Sequence, residues 1–268
     1  MTMNNLLRAI APLSDTGWAL LDGEACERLA PALGARKLVD FSGPRGWEHS
    51  ASNLGRVTTL KGAPSKAVTG LRREVMPLVE LRADFALARD ELRDADRGAP
   101  DTDLAPLDDA AREIAMTENI AVFHGWGGAI TGIGERSPYD VSSLGKKAGT
   151  YPREIAGAVE KLLCQGVGGP YGLALGREQY RIVIETAEGG GYPLLDHLGK
   201  ILEGPIVWTP GVNGAVVVSL RGGDFLFESG QDLSIGYDSH DAEVVRLYLQ
   251  ESFSFRIATP EAAVALAP

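Results

Sequence analysis

The segment Arg221 to Tyr237, RGGDFLFESGQDLSIGY, constrains this chain more than any other. Arg221-Gly222-Gly223 reads as a turn and Phe225-Leu226-Phe227 as a short strand. Gly230 breaks it, and Leu233, Ile235 and Tyr237 then alternate as a half-buried strand does. The 268 residues can bury a sizeable core as one large domain or two ordinary ones.

Elsewhere helices and strands mix. Residues 4–10 are mildly amphipathic and are stopped by Pro12, after which Ser14 or Asp15 can cap a helix carrying Trp18, Leu21, Ala25 and Leu29 at helical spacing. From Gly43 to Lys66 the chain is rich in Gly, Ser and Pro, a poor core but a good projecting hairpin. Val75 to Leu87 reads as extended, followed by a charged helix through Arg97 and a turn at Gly98-Ala99-Pro100. The strongest helix follows Asp101-Thr102-Asp103: Leu107, Ala110, Ala111, Ile114, Ala115, Glu118, Ala121 and Val122 keep one period until Gly125. Tyr151 to Gln165 and Glu178 to Glu188 read as helices and Tyr171 to Leu175 as a strand. Pro205 to Ser219 reads as two strands paired around the turn Pro210 to Gly214.

The chemistry of common active sites is missing. Gly125-Trp126-Gly127-Gly128 fails as a dinucleotide loop, because a helical pattern precedes it and Ile130 stands where the third glycine should be. There is no phosphate loop and no GxSxG elbow. His49, His124, His197 and His240 lie far apart, and Cys26 and Cys164 have no zinc spacing, so no metal site or disulfide framework is expected. Asp94 with Asp96 and Asp108 with Asp109 sit in polar helix or cap contexts and read as compensation of helix N-termini. A formal net charge of -10 argues against nucleic acid or an anionic membrane surface as the main partner. With no signal-peptide core and no run of 18 apolar residues, a cytoplasmic, reducing location is expected and no membrane partner.

Taken with Asn4 to Leu13, Ala35 to Glu48 (ARKLVDFSGPRGWE), Pro77 to Arg82 and Gly169-Pro170-Tyr171, the segment 221–237 resembles the encapsulins, bacterial shell proteins related to the linocin-like bacteriocins. The resemblance covers nearly the whole chain. It implies an α+β, HK97 phage capsid-like fold: a P-domain with N-terminal lumen-facing helices over 1–47, an E-loop over 48–76, P-domain with spine helix over 77–132, an A-domain over 133–220, and P-domain return strands with the C-terminus over 221–268. It implies no enzyme activity, self-assembly into an icosahedral homo-oligomer, and capture of a cargo protein through a C-terminal targeting peptide. The cargo would be a ferritin-like protein or a dye-decolourising peroxidase, for iron storage or oxidative-stress defence in a cytoplasmic nanocompartment.

By the same resemblance Arg36, Asp40, Asp232, Leu233, Ile235 and Tyr237 bind the cargo peptide. Glu188, Gly189, Gly190, Gly191 and Tyr192 form the pore loop at the five-fold axis, small residues and one carboxylate making a wide opening that attracts cations. Some encapsulins bind flavin through an aromatic residue after the segment Phe85-Ala86-Leu87. Here Ala88-Arg89-Asp90-Glu91 has no aromatic, so no cofactor is expected in the shell, and iron would enter only through the cargo. A phage major capsid protein is the alternative that shares fold and assembly. A bacteriocin or hydrolase is the other, opposed by the missing signal peptide and the missing nucleophile and base.

Overall fold

The computed structural model describes residues 5–65, 67–145, 147–187 and 190–268. The polar N-terminal stretch forms only a 3-10 turn, Arg8–Ile10, instead of a helix. Arg8 explains its place: the guanidinium donates to the Ile235 carbonyl (2.8 Å), pairs with Asp22 (2.6 Å) and stacks over Trp18 (4.4 Å). Helix α1, Asp15–Ala32, starts as expected at Ser14, whose hydroxyl accepts from the Gly17 N–H (2.9 Å). Trp18, Leu21, Ala25 and Leu29 are its buried stripe.

Strand β1, Asp40–Ser42, leads into the hairpin β2, Ala51–Thr59, and β3, Leu71–Pro77. These two strands pair only with each other and bury almost nothing, so the projecting hairpin is real and reaches further along the chain than its glycine-rich part. Then come β4, Val79–Ala88, helix α2, Arg89–Asp96, and helix α3, Ala105–Phe123. Pro106 lies in the first turn of α3, where its missing N–H costs nothing. Helix α3 packs on α1 on one side and β4 on the other.

The second half contains α4, Ile133–Arg136; β5, Ser142–Ser143; α5, Tyr151–Cys164; β6, Tyr171–Leu175; α6, Arg177–Glu185; α7, Leu194–Leu202; β7, Ile206–Trp208; and β8, Ala215–Ser219. Strands β9, Phe225–Ser229, β10, Ser234–His240, β11, Val244–Ile257, and β12, Ala263–Ala267, complete the chain.

Two sheets organise these elements. In the first, the 14-residue β11 is the backbone: β4 runs antiparallel along one edge, β10 and then β9 along the other, and β1 closes the sheet parallel to β9. The order of the second is β5-β12-β8-β6-β7. Its central strands β6 and β8 are buried at every residue, as a sheet covered on both faces requires.

The second sheet corrects two expectations. Residues 205–219 do not form a hairpin, because β6 lies between β7 and β8, parallel to the first and antiparallel to the second. A strand as apolar as β6 needs a partner on each edge, and the loop after β7 must therefore cross it. That loop passes so close to α3 that a Cβ on Gly211 (φ +89°) would lie 2.7 Å from Ile120 and 2.8 Å from Met116. The segment 221–268, expected as one return unit, is divided: after β11 the chain leaves the first sheet, and β12 enters the second between β5 and β8.

Candidate functional site: a groove beside a buried charge cluster

Where α1 passes the start of β10, the helix and the strand leave a groove of about 350 Å³. Its helix wall is Asp22, Ala25, Cys26, Leu29 and Ala30; Leu33 and Arg36 close one end, and Asp232, Leu233, Ser234, Ile235 and Leu249 form the sheet wall. The wall is mostly apolar and its charges sit at the rim, which suits a short peptide with small apolar side chains.

Arg36 holds the site together. It lies in a 3-10 turn, Ala35–Lys37, that follows α1. Its Nε donates to Glu118 (2.7 Å), Nη1 to Asp232 (2.7 Å) and Nη2 to Glu251 (2.6 Å), while the planar group lies 5.0 Å from the Phe41 ring centroid and 5.5 Å from that of Phe227. Glu118 is 0% and Glu251 1% exposed. One cation thus faces two buried carboxyls and the rim carboxylate of Asp232. Burial raises the pKa of Glu118 against the pull of Arg36. Burial and the neighbouring Glu118 charge hold Glu251 well above the usual carboxylate range, so Glu251 keeps its proton.

Of the six residues expected at a peptide site, Arg36, Asp232, Leu233 and Ile235 line the groove. Arg36 and Asp232 are joined to each other across it, Leu233 is half-buried, and Ile235 is sunk into the core at 1% exposure. Asp40 and Tyr237 do not line it. The Asp40 carboxylate accepts the Gly223 N–H (2.8 Å) and ties β1 to the turn before β9. The Tyr237 N–H donates to the Leu6 carbonyl (2.8 Å), and its hydroxyl lies 2.5 Å from His240 Nδ1.

The resemblance placed the N-terminal helices at the peptide site, and sequence reading missed Glu118 and Glu251. Glu118 did carry a signal, since it falls on the apolar period of α3, where a charge must find a buried partner. Glu251 carried none, because its burial follows from the central position of β11 in the sheet.

Of the expected pore loop, Glu188 and Gly189 lie outside the described residues. Gly190 and Gly191 take positive φ (102° and 84°), and a bridge between Ala187 and Pro193 closes the loop at its base. The Tyr192 ring is 39% exposed and carries the Lys200 ammonium 5.0 Å from its centroid. Among the described residues no group of three His, Cys, Asp or Glu side chains could hold a metal ion, and no helix is long and apolar enough to cross a membrane.

Two sheets, the first built along one long strand, together with a spine helix and an outlying hairpin define a shell subunit of the HK97 capsid fold. The same fold is found in the virus-like particle from Pyrococcus furiosus, with a TM-score of 0.65 over 92% of this chain and 98% of that one at 17% identity. It recurs in the capsid of an empty GTA particle, with a TM-score of 0.53 over 88% and 90% of the two chains at 14% identity. At the sequence level, the family described as encapsulating protein for peroxidase matches residues 3–254. The type 1 encapsulin shell protein of Rhodospirillum rubrum is 48% identical over 98% of this chain and 96% of its own length. That of Mycobacterium tuberculosis is 40% identical over 98% and 99%. The chain belongs to the encapsulin shell-protein family.

Proposed function

We propose that copies of this chain close into a hollow cytoplasmic compartment and that the groove between α1 and β10 takes the C-terminal targeting peptide of the enclosed enzyme. The observation that carries the reading is the groove itself: apolar walls next to a rim carboxylate, Asp232, that Arg36 already holds in place. Leu233 and Ile235 supply the apolar contact, with Ile235 as the floor. Asp40 and Tyr237 act on the peptide only through the strands they fix. The family description favours a peroxidase as cargo over a ferritin-like iron oxidase, and hence oxidative-stress defence over iron storage. The shell subunit itself has no catalytic part and no flavin in this reading, and any iron belongs to the cargo. The glycines of loop 188–192 set the width of an opening and Glu188 its charge.

The test is co-expression of the shell with a dye-decolourising peroxidase and, separately, a ferritin-like protein, each with and without its C-terminal peptide. Leu233→Asp, which charges the groove wall at a half-buried position on the margin of the core, is expected to give intact shells that are empty. Full loading of the Leu233→Asp shell, or loading that does not need the peptide, would refute the assignment.

A further inference from the structure

Arg177, Tyr180, Arg181 and Ile184 recur at three- and four-residue steps along α6 and so stand on one face of it. That face is one wall of a cavity of about 600 Å³, with Trp208 of β7 and Lys37, from the turn after α1, on its other walls. The cavity is separate from the groove described above, although both use the turn after α1: Leu33 and Arg36 line the groove, Lys37 the cavity.

Its chemistry is one-sided. Three cations line it and no carboxylate does, in a chain with a formal net charge of -10. The acidic residues of α6, Glu178 and Glu185, are not among its walls. Most arginines of the structure find a carboxylate, but the guanidinium groups of Arg177 and Arg181 form no hydrogen bond or ion pair among the described residues. The Lys37 ammonium reaches only the Pro31 carbonyl, at 3.3 Å. The Tyr180 hydroxyl and the Trp208 indole N–H have no partner among the described residues either. Both rings are half-buried and packed against the core, which holds them in place, and Ile184 beside them is 55% exposed.

A bare oxyanion would satisfy the cations and leave the rings and most of the volume unused, whereas an apolar ligand would leave the cations unanswered. A ring that carries phosphate meets both demands, and the volume lies within the roughly 300–1,000 Å³ of small-molecule sites. Guanidinium groups suit phosphate oxygens because their N–H donors form a planar fork, and three cations exceed what a single phosphate needs. We propose that this cavity binds a nucleoside polyphosphate, with Lys37, Arg177 and Arg181 on the phosphate chain and Trp208 and Tyr180 on the base. The inference is independent of the peptide groove, since it concerns another cavity and another class of ligand.

The experiment is isothermal titration calorimetry of the purified protein, in whatever assembled form it takes, with three magnesium-free probes: ATP, adenosine, which has the ring without the charge, and tripolyphosphate, which has the charge without the ring. ATP is expected to bind once per chain with a dissociation constant below about 1 mM, and each of the other two about tenfold more weakly or worse. Arg177→Gln with Arg181→Gln, both exposed positions, is expected to weaken ATP by about tenfold or more, the equivalent of one charge-assisted hydrogen bond. Trp208→Leu is expected to weaken ATP and leave tripolyphosphate unchanged. Far-UV circular dichroism and electron microscopy check that each variant folds and assembles as the parent does, and the comparison of probes on the parent needs no variant. No saturable binding of ATP, tripolyphosphate or adenosine binding as tightly as ATP, or ATP binding that survives the double substitution overturns the proposal.

Discussion

Replacing Glu251 by Gln tests the buried cluster directly. Glu251 is 1% exposed beside Glu118, at 0%, and Arg36 is the one cation among the described residues that reaches both. Unfolded, a glutamate releases its proton near pH 4.3. Folded, burial and the charge of Glu118 keep the Glu251 proton bound to a much higher pH. Between those limits the native state binds one proton more than the unfolded state, so stability falls as pH rises, by about 1.4 kcal/mol per pH unit, and levels off once the raised pKa is passed. The contribution is whole below the unfolded pKa and lost at alkaline pH. Glutamine keeps the size and an oxygen that accepts from Arg36 but cannot titrate. Urea unfolding followed by tryptophan fluorescence from pH 5 upward is expected to give Glu251→Gln a pH slope shallower than the parent's, by at most about 1.4 kcal/mol per unit. Parallel curves for the two proteins would refute the claim that Glu251 holds a proton in the native state.

Two further substitutions test other parts of the frame. Arg36→Met leaves Glu118 and Glu251 buried without a cation and should cost about 3–5 kcal/mol in urea unfolding, whereas Lys at the same position should recover only part of this. Gly211→Val drives a branched side chain into Met116 and Ile120 at a backbone angle it disfavours, and should lower the melting temperature by roughly 4 °C or more, as expected for a loss of about 2 kcal/mol or more in a chain of this length.

Which parts of the molecule could be read from the sequence follows from the range of the forces involved. Helices α1 and α3 were legible because their apolar residues repeat at 3.6 and their starts are marked by Ser14 and Pro106. The hairpin was legible for the opposite reason, since so little of it can be buried. Strand partnership was not. Nothing local to 205–219 says that Tyr171–Leu175 will separate its two strands, nor does Ala263–Ala267 say which sheet it will join. For the site, Arg36, Asp232, Leu233 and Ile235 came from resemblance, and the structure places them on one groove. The carboxyls under Arg36 come from α3 and β11, 82 and 215 residues away, a distance over which single-sequence patterns carry no information.

The placing of β12 also bears on the timing of construction. Strand β12 comes well after its partners in chain order and is an inner one, hydrogen-bonded to β8 on one side and β5 on the other. Until residues 263–267 have cleared the ribosome, the all-apolar edge of β8 has no partner and the second sheet is incomplete. A subunit therefore cannot offer a finished surface to its neighbours before β12 is in place. The order of elements along the chain thus sets a delay between the first folding of a subunit and its first firm contact with another copy.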